Sequence, residues 1–179
     1  MIHLPVIVQI VLGALVAVAA IYDVRWRRIP NWLVLSGPLA GFTLNPLLYG
    51  WAGLKLSLLG FGLAMLVYFP LYVVHGMGAG DVKLMAAVGA IAGPAAWFNI
   101  LLLTALLGAA IAFVLLLLRG RLRSTLWNVG YILSELMRFR APYLRREELD
   151  VNHPTAVTLP HGATIALGCL CFLAAAALR

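Results

Sequence analysis

Six residues of this chain carry a carboxylate, and two of them stand where a carboxylate is costly. Asp23 closes an apolar run in Ile21-Tyr22-Asp23-Val24-Arg25, and Asp81 follows a glycine-rich stretch in Gly76-Met77-Gly78-Ala79-Gly80-Asp81-Val82-Lys83. The other four, Glu135, Glu147, Glu148 and Asp150, lie in a polar segment where water solvates them. An ionisable group at the edge of hydrocarbon generally has a partner or a purpose. Two carboxylates brought close do not easily both ionise, so one keeps a proton while the other stays charged. The charged member takes a proton from water and the protonated one polarises a peptide carbonyl, which is the chemistry of aspartic proteolysis. Neighbouring glycines leave room for backbone to approach an extended substrate segment. Spacing alone leaves two structural readings open: Asp23 as a partner of Arg25 or Arg27, and Asp81 as a helix N-cap with Lys83 nearby.

The elements that must hold these aspartates are membrane helices. Of 179 residues, 64% are hydrophobic and 11% charged, whereas soluble domains are about 45–50% apolar and about one quarter charged. A water-soluble core of this size cannot bury so much apolar surface, so the sequence predicts an all-α integral membrane protein forming one domain over 1–179. Apolar runs cover 4–22, 32–49, 54–74, 82–91, 95–118 and 162–178, giving about six transmembrane helices, the fourth short for a full span. Pro30 and Pro94 fall at the edges of these runs, and the glycines of 76–80 argue for a loop or a broken helix.

Charge sets the expected orientation. Arg25, Arg27, Arg28, Lys83, Arg119, Arg121, Arg123, Arg138, Arg140, Arg145 and Arg146 fall on one side of six alternating spans, leaving only Lys55 and Arg179 on the other. By the positive-inside rule the crowded side is cytoplasmic and both termini face outward. Between the fifth and sixth runs, residues 119–159 form a polar connector. Leu122, Leu126, Val129, Leu133 and Leu136 recur there at helical spacing, which predicts an amphipathic cytoplasmic helix on the membrane surface. A solvated connector that positions the last helix is the competing reading.

The same patterns exclude other classes. The net charge of +7 clusters beside apolar runs without the aromatic or glycine-rich patterns of RNA binding, so no nucleic-acid partner is expected. Cys169 and Cys171 point to different sides of one apolar helix, which argues for packing of both and against a disulfide or a metal site. His75 adjoins the glycine loop and His161 opens the last helix, but no ligand constellation arises, and no metal or cofactor is expected. Met1 to Pro5 lacks a basic n-region, so the first run is expected to be a retained helix instead of a signal peptide.

The stretch Gly78-Ala79-Gly80-Asp81-Val82-Lys83-Leu84-Met85 resembles the GxGD signature of type IV prepilin peptidases, which are membrane aspartic proteases. Asp23 followed six residues later by Ile29-Pro30-Asn31 is similar to that family's first aspartate motif. Leu159-Pro160-His161-Gly162 is similar to the Pro-x-Gly sequence that opens its last helix. The resemblance runs over essentially the whole chain with the motifs in order. It implies that Asp23 and Asp81 are catalytic, with Gly78, Gly80, Lys83, Pro30 and Asn31 in supporting or substrate-binding roles. It also implies a multi-pass enzyme of the bacterial inner membrane that removes the basic leader preceding the hydrophobic helix of prepilins or pseudopilins, on the cytoplasmic face. Larger family members carry an N-terminal cytosolic region with paired CxxC motifs and also methylate the new N-terminus. No CxxC occurs here, so the chain resembles the short, peptidase-only branch that processes Flp-type pilins, and no methyltransferase activity is expected. The alternative is a non-enzymatic membrane subunit or a small proton- or cation-coupled transporter using the two carboxylates.

Overall fold

The computed structural model of the chain describes residues 4–120, Trp127, Gly130 and 161–177, and within them every regular element is an α-helix. We number these α1 (Val6–Trp26), α2 (Asn31–Val73), α3 (Ala79–Leu118) and α4 (His161–Ala177). The first three are long and apolar enough to cross a membrane, and α4 is a shorter apolar helix of 17 residues. Apart from Trp127 and Gly130, the amphipathic helix expected from Leu122 to Leu136 lies outside the described residues, as does nearly all of the 119–159 connector.

Two of the helices are interrupted at a single glycine. In α2 the backbone leaves helical geometry at Gly50 (φ 60°, ψ −140°), a region that a residue without Cβ enters at little cost. In a straight helix, residues twelve apart would be about 18 Å apart. Yet Asn45 Nδ2 donates to Ser57 Oγ at 2.7 Å, and Ser57 Oγ donates to the Gly41 carbonyl at 2.9 Å. The chain therefore reverses at Gly50, and residues 31–49 and 51–73 lie side by side, so close that a Cβ on Gly53 would overlap the Asn45 carbonyl. In α3 the break falls at Gly93 (φ 76°, ψ 170°), just before Pro94. The separate apolar runs expected at 32–49 and 54–74, and at 82–91 and 95–118, thus meet within single elements. One glycine out of helical geometry takes the place of the expected loop.

Pro94 has no N–H, so the Ala90 carbonyl one turn earlier loses its usual helical donor. Asn45 supplies a replacement: its Nδ2 donates to the Ala90 and Ile91 carbonyls, each at 3.1 Å. One buried side chain thereby ties the α2 hairpin to the break in α3. Replacing Asn45 by Leu keeps the branched shape and deletes the donors, leaving buried oxygens unpaired. We expect a loss of about 1–3 kcal/mol, read as a lower Tm of the detergent-solubilised protein.

Helix packing follows from small residues inside and large ones outside. α2 packs chiefly on α3, and α4 lies against both α3 and α1. At the α2–α3 contact, a Cβ on Gly41 would overlap the Ala90 carbonyl, and one on Gly60 the Gly89 carbonyl. Such close backbone approach is how helices associate where lipid removes the hydrophobic drive between them. Leu47, Leu66, Trp51 and Leu118 are each more than 70% exposed, as expected of side chains that face acyl chains instead of water. Cys169 is buried in the core but Cys171 is exposed. The packing role expected for both cysteines is therefore corrected for Cys171, which lies on the outer side of α4.

Candidate active site

Asp23 occupies the last turn of α1 and is only 7% exposed. The helix ends three residues later, at Trp26, because Arg27 turns into the left-handed region (φ 53°), its amide donating to the Asp23 carbonyl at 2.9 Å. Pro30 then pushes Ile29 toward extended geometry and caps α2 with its own extended backbone (ψ 141°). The turn from Arg27 to Pro30 carries Ile29 inward, beneath Asp23. The Asp23 side chain is held from the other end of the chain: its Oδ2 accepts the Ala163 amide at 3.2 Å, in the first turn of α4. Arg25, one of the partners considered from sequence, lies over the Trp26 ring at 5.1 Å.

Asp81 stands in the first turn of α3, where a negative side chain complements the helix dipole. It is not the N-cap. Gly78 holds that position, and the Asp81 amide donates to the Gly78 carbonyl at 3.2 Å. The helix thus begins at Ala79, inside the glycine stretch, and the loop is confined to the residues before it, where His75 takes a positive φ of 57°. Both glycines of this turn face their neighbours at ordinary contact range. A Cβ on Gly78 would stand 3.4 Å from Asp81 Oδ2, and one on Gly80 3.5 Å from the Ile29 side chain.

Ile29 is the wedge on which the site is built. On one side it meets Gly80, before Asp81. On the other it meets Gly162, where a Cβ would lie 3.0 Å from Ile29 Cδ1 and 3.0 Å from Asp23 Oδ2. The two aspartates, from helices otherwise in slight contact, come close enough for their charges to act directly on each other. Lys83 Nζ donates to Asn31 Oδ1 at 3.0 Å, fastening the start of α2 to the first turns of α3 at the exposed rim. Pro30, Asn31, Gly78, Gly80 and Lys83 therefore gather with Asp23 and Asp81 at one end of the bundle. In a carboxylate pair within electrostatic range, one member buried on an amide and the other partly buried at a helix start, one can keep a proton while the other stays charged, the division of roles that activates a water molecule.

Four contributors were not identified from sequence. Ile29 appeared only as the apolar residue of a turn motif. Gly162 appeared as part of a helix opening, with no partner assigned, and nothing local in the sequence indicates that the Ala163 amide meets a residue 140 positions earlier. Tyr68, buried in α2 with its ring edge-on to Trp97 at 6.3 Å, lies within charge-interaction range of Asp81. It sits in a continuous apolar run, where a lone tyrosine carries no signal. His161, which sequence placed on the active side, opens α4 close enough to Asp23 to sense its charge.

A comparison with protein families matches residues 10–113 to a model described as the type IV leader peptidase family. This segment contains both aspartates, Ile29-Pro30-Asn31 and the glycine turn. Searches of curated proteins and of solved structures returned no match.

Proposed function

The chain belongs to the type IV leader peptidase family, and from that premise we propose that it is an aspartic endopeptidase whose catalytic pair is Asp23 and Asp81. The observation that carries this reading is the convergence of the two carboxylates about Ile29, at the starts of α3 and α4. One carboxylate takes a proton from water as the water oxygen bonds to the scissile carbonyl carbon. The other, protonated, gives its proton to the carbonyl oxygen. Collapse of the tetrahedral intermediate then breaks the C–N bond, and the leaving amine takes up a proton. The carboxylates and water suffice for these steps.

The substrate is a prepilin or pseudopilin with a short basic leader ahead of a hydrophobic helix, of the Flp-like kind, and the new N-terminus is left unmethylated. The protein lies in the bacterial inner membrane with the segments 6–26, 31–49, 51–73, 79–92, 94–118 and 161–177 as six spans. The catalytic end faces the cytoplasm and both termini lie outside. This orientation is supported by the company the aspartates keep, since Arg25, Arg27, Arg28 and Lys83 share their end of the bundle. Family membership also favours the peptidase over a non-enzymatic subunit or a transporter.

Co-expression with prepilins from the same genome tests the assignment. We expect a leader-sized mobility shift and, by N-terminal sequencing, a new terminus at the leader junction. Prepilins that insert in the membrane and remain full length beside abundant enzyme would contradict it.

A further inference from the structure

We propose that Gly162 and the backbone amide of Ala163 form a clamp that sets the orientation of the Asp23 carboxylate, making them positioning residues for the peptidase reaction proposed above. The Ala163 amide is among the first N–H groups of α4, which have no partner within their own helix. A buried carboxylate from α1 satisfies it, at 3.2 Å. The missing side chain at residue 162 leaves that bond its room. A Cβ there would stand 3.0 Å from Asp23 Oδ2, 3.1 Å from Asp23 Cβ and 3.0 Å from Ile29 Cδ1 at once, so it could be relieved only by moving the aspartate or the wedge beneath it.

The clamp is anchored independently of its target. Farther along α4, a Cβ on Gly168 would overlap Thr104 of α3, and Leu173 packs beside Gly13 of α1. α4 is thus seated on both neighbours, and its first turn cannot follow the aspartate if the carboxylate swings. Tying Oδ2 to this fixed turn gives the carboxylate one direction relative to Asp81 in place of several rotamers. Catalysis by paired groups depends steeply on such placement, a shift of about 1 Å costing on the order of 100-fold in rate.

Two substitutions attack the clamp by opposite means. Gly162→Ala keeps the N–H and fills the space. Ala163→Pro deletes the N–H at a first-turn position where proline is tolerated. Ala163→Ser keeps the donor and serves as the conservative control. With the proteins at equal membrane abundance and a prepilin substrate, we expect Gly162→Ala and Ala163→Pro to lower kcat by roughly 10- to 100-fold. Their KM should stay within about twofold of wild type, since the clamp does not touch substrate, and Ala163→Ser should behave as wild type. Wild-type kcat in both variants, or a loss carried by KM, would overturn the proposal.

A second measurement does not depend on activity and so separates the clamp from the peptidase assignment. In thermal unfolding of the solubilised protein, the Tm losses of Asp23→Ala and Ala163→Pro should be less than additive, because each removes the same bond. Additive losses would show that the two groups do not interact and would overturn the clamp even if prepilin is cleaved. Absent cleavage by wild type with non-additive losses would uphold the clamp contact and remove the peptidase reading.

Discussion

Asp23→Asn and Asp81→Asn should each lower leader cleavage by roughly 1000-fold, the middle of the range for loss of a positioned acid or base, while the protein accumulates in the membrane at its normal level. The expectation of intact folding is specific to asparagine. Its Oδ1 can still accept the Ala163 amide that Asp23 Oδ2 accepts at 3.2 Å, so the start of α4 stays satisfied. Asp81 makes a lesser demand on the fold: the N-cap of α3 is Gly78, and the helix start is held by backbone hydrogen bonds. Asp23→Ala is expected to differ, losing activity and also leaving a helix amide unpaired at a buried position, at a cost of about 1–3 kcal/mol. Immunoblotting of membranes beside the cleavage assay checks both statements. An asparagine variant that cut at the wild-type rate would remove that residue from the reaction.

The largest structural effect should come from Gly60→Val. The Cβ alone would overlap the Gly89 carbonyl, a backbone atom with no freedom to rotate away, and a Cβ on Gly89 would in turn overlap the Gly60 carbonyl. Overpacking a tight core with side-chain neighbours costs typically about 1–3 kcal/mol, and here the obstacle is the main chain of a helix. Relief requires prying α2 from α3, the contact that carries Tyr68 and Asp81 together. We expect the variant to be depleted from the membrane by proteolysis, with a Tm in detergent below that of the Asn45 variant. Normal abundance and an unchanged Tm would show that the two backbones are not in contact. At Gly62, where a Cβ would meet nothing within 4 Å, the same substitution should be well tolerated.

What the sequence disclosed follows from how each feature is encoded. Hydrocarbon requires long apolar helices, so their approximate limits were readable from composition along the chain, and the helices 6–26 and 161–177 fall near the expected 4–22 and 162–178. Asp23 and Asp81 were conspicuous because so few carboxylates border the apolar runs. A reversal between the runs 32–49 and 54–74 was expected, but not that one glycine would make it without a loop. Gly50 is one glycine among 17, and the pairing of Asn45 with Ser57 shows that the chain turns back there. The start of α3 at Ala79 ran against propensity, since Gly80 is a poor helix former and yet stands in its first turn, facing Ile29. Local spacing could not reveal that the opening of α4 closes onto Asp23. That contact joins residues 140 positions apart and depends on a side chain that is missing, at Gly162.

The central claim is that Asp23 and Asp81 work as one catalytic unit, and the direct measurement is a rate comparison among four proteins. Wild type, Asp23→Asn, Asp81→Asn and the double variant would be purified, reconstituted in vesicles with a prepilin substrate, and followed under single-turnover conditions. Groups that act together lose nearly everything when either is removed, so their effects are far from additive. The double variant is expected to retain the same residual rate as each single one. Losses that multiply, or a single variant that keeps a substantial share of the wild-type rate, would show that the two carboxylates do not share one reaction.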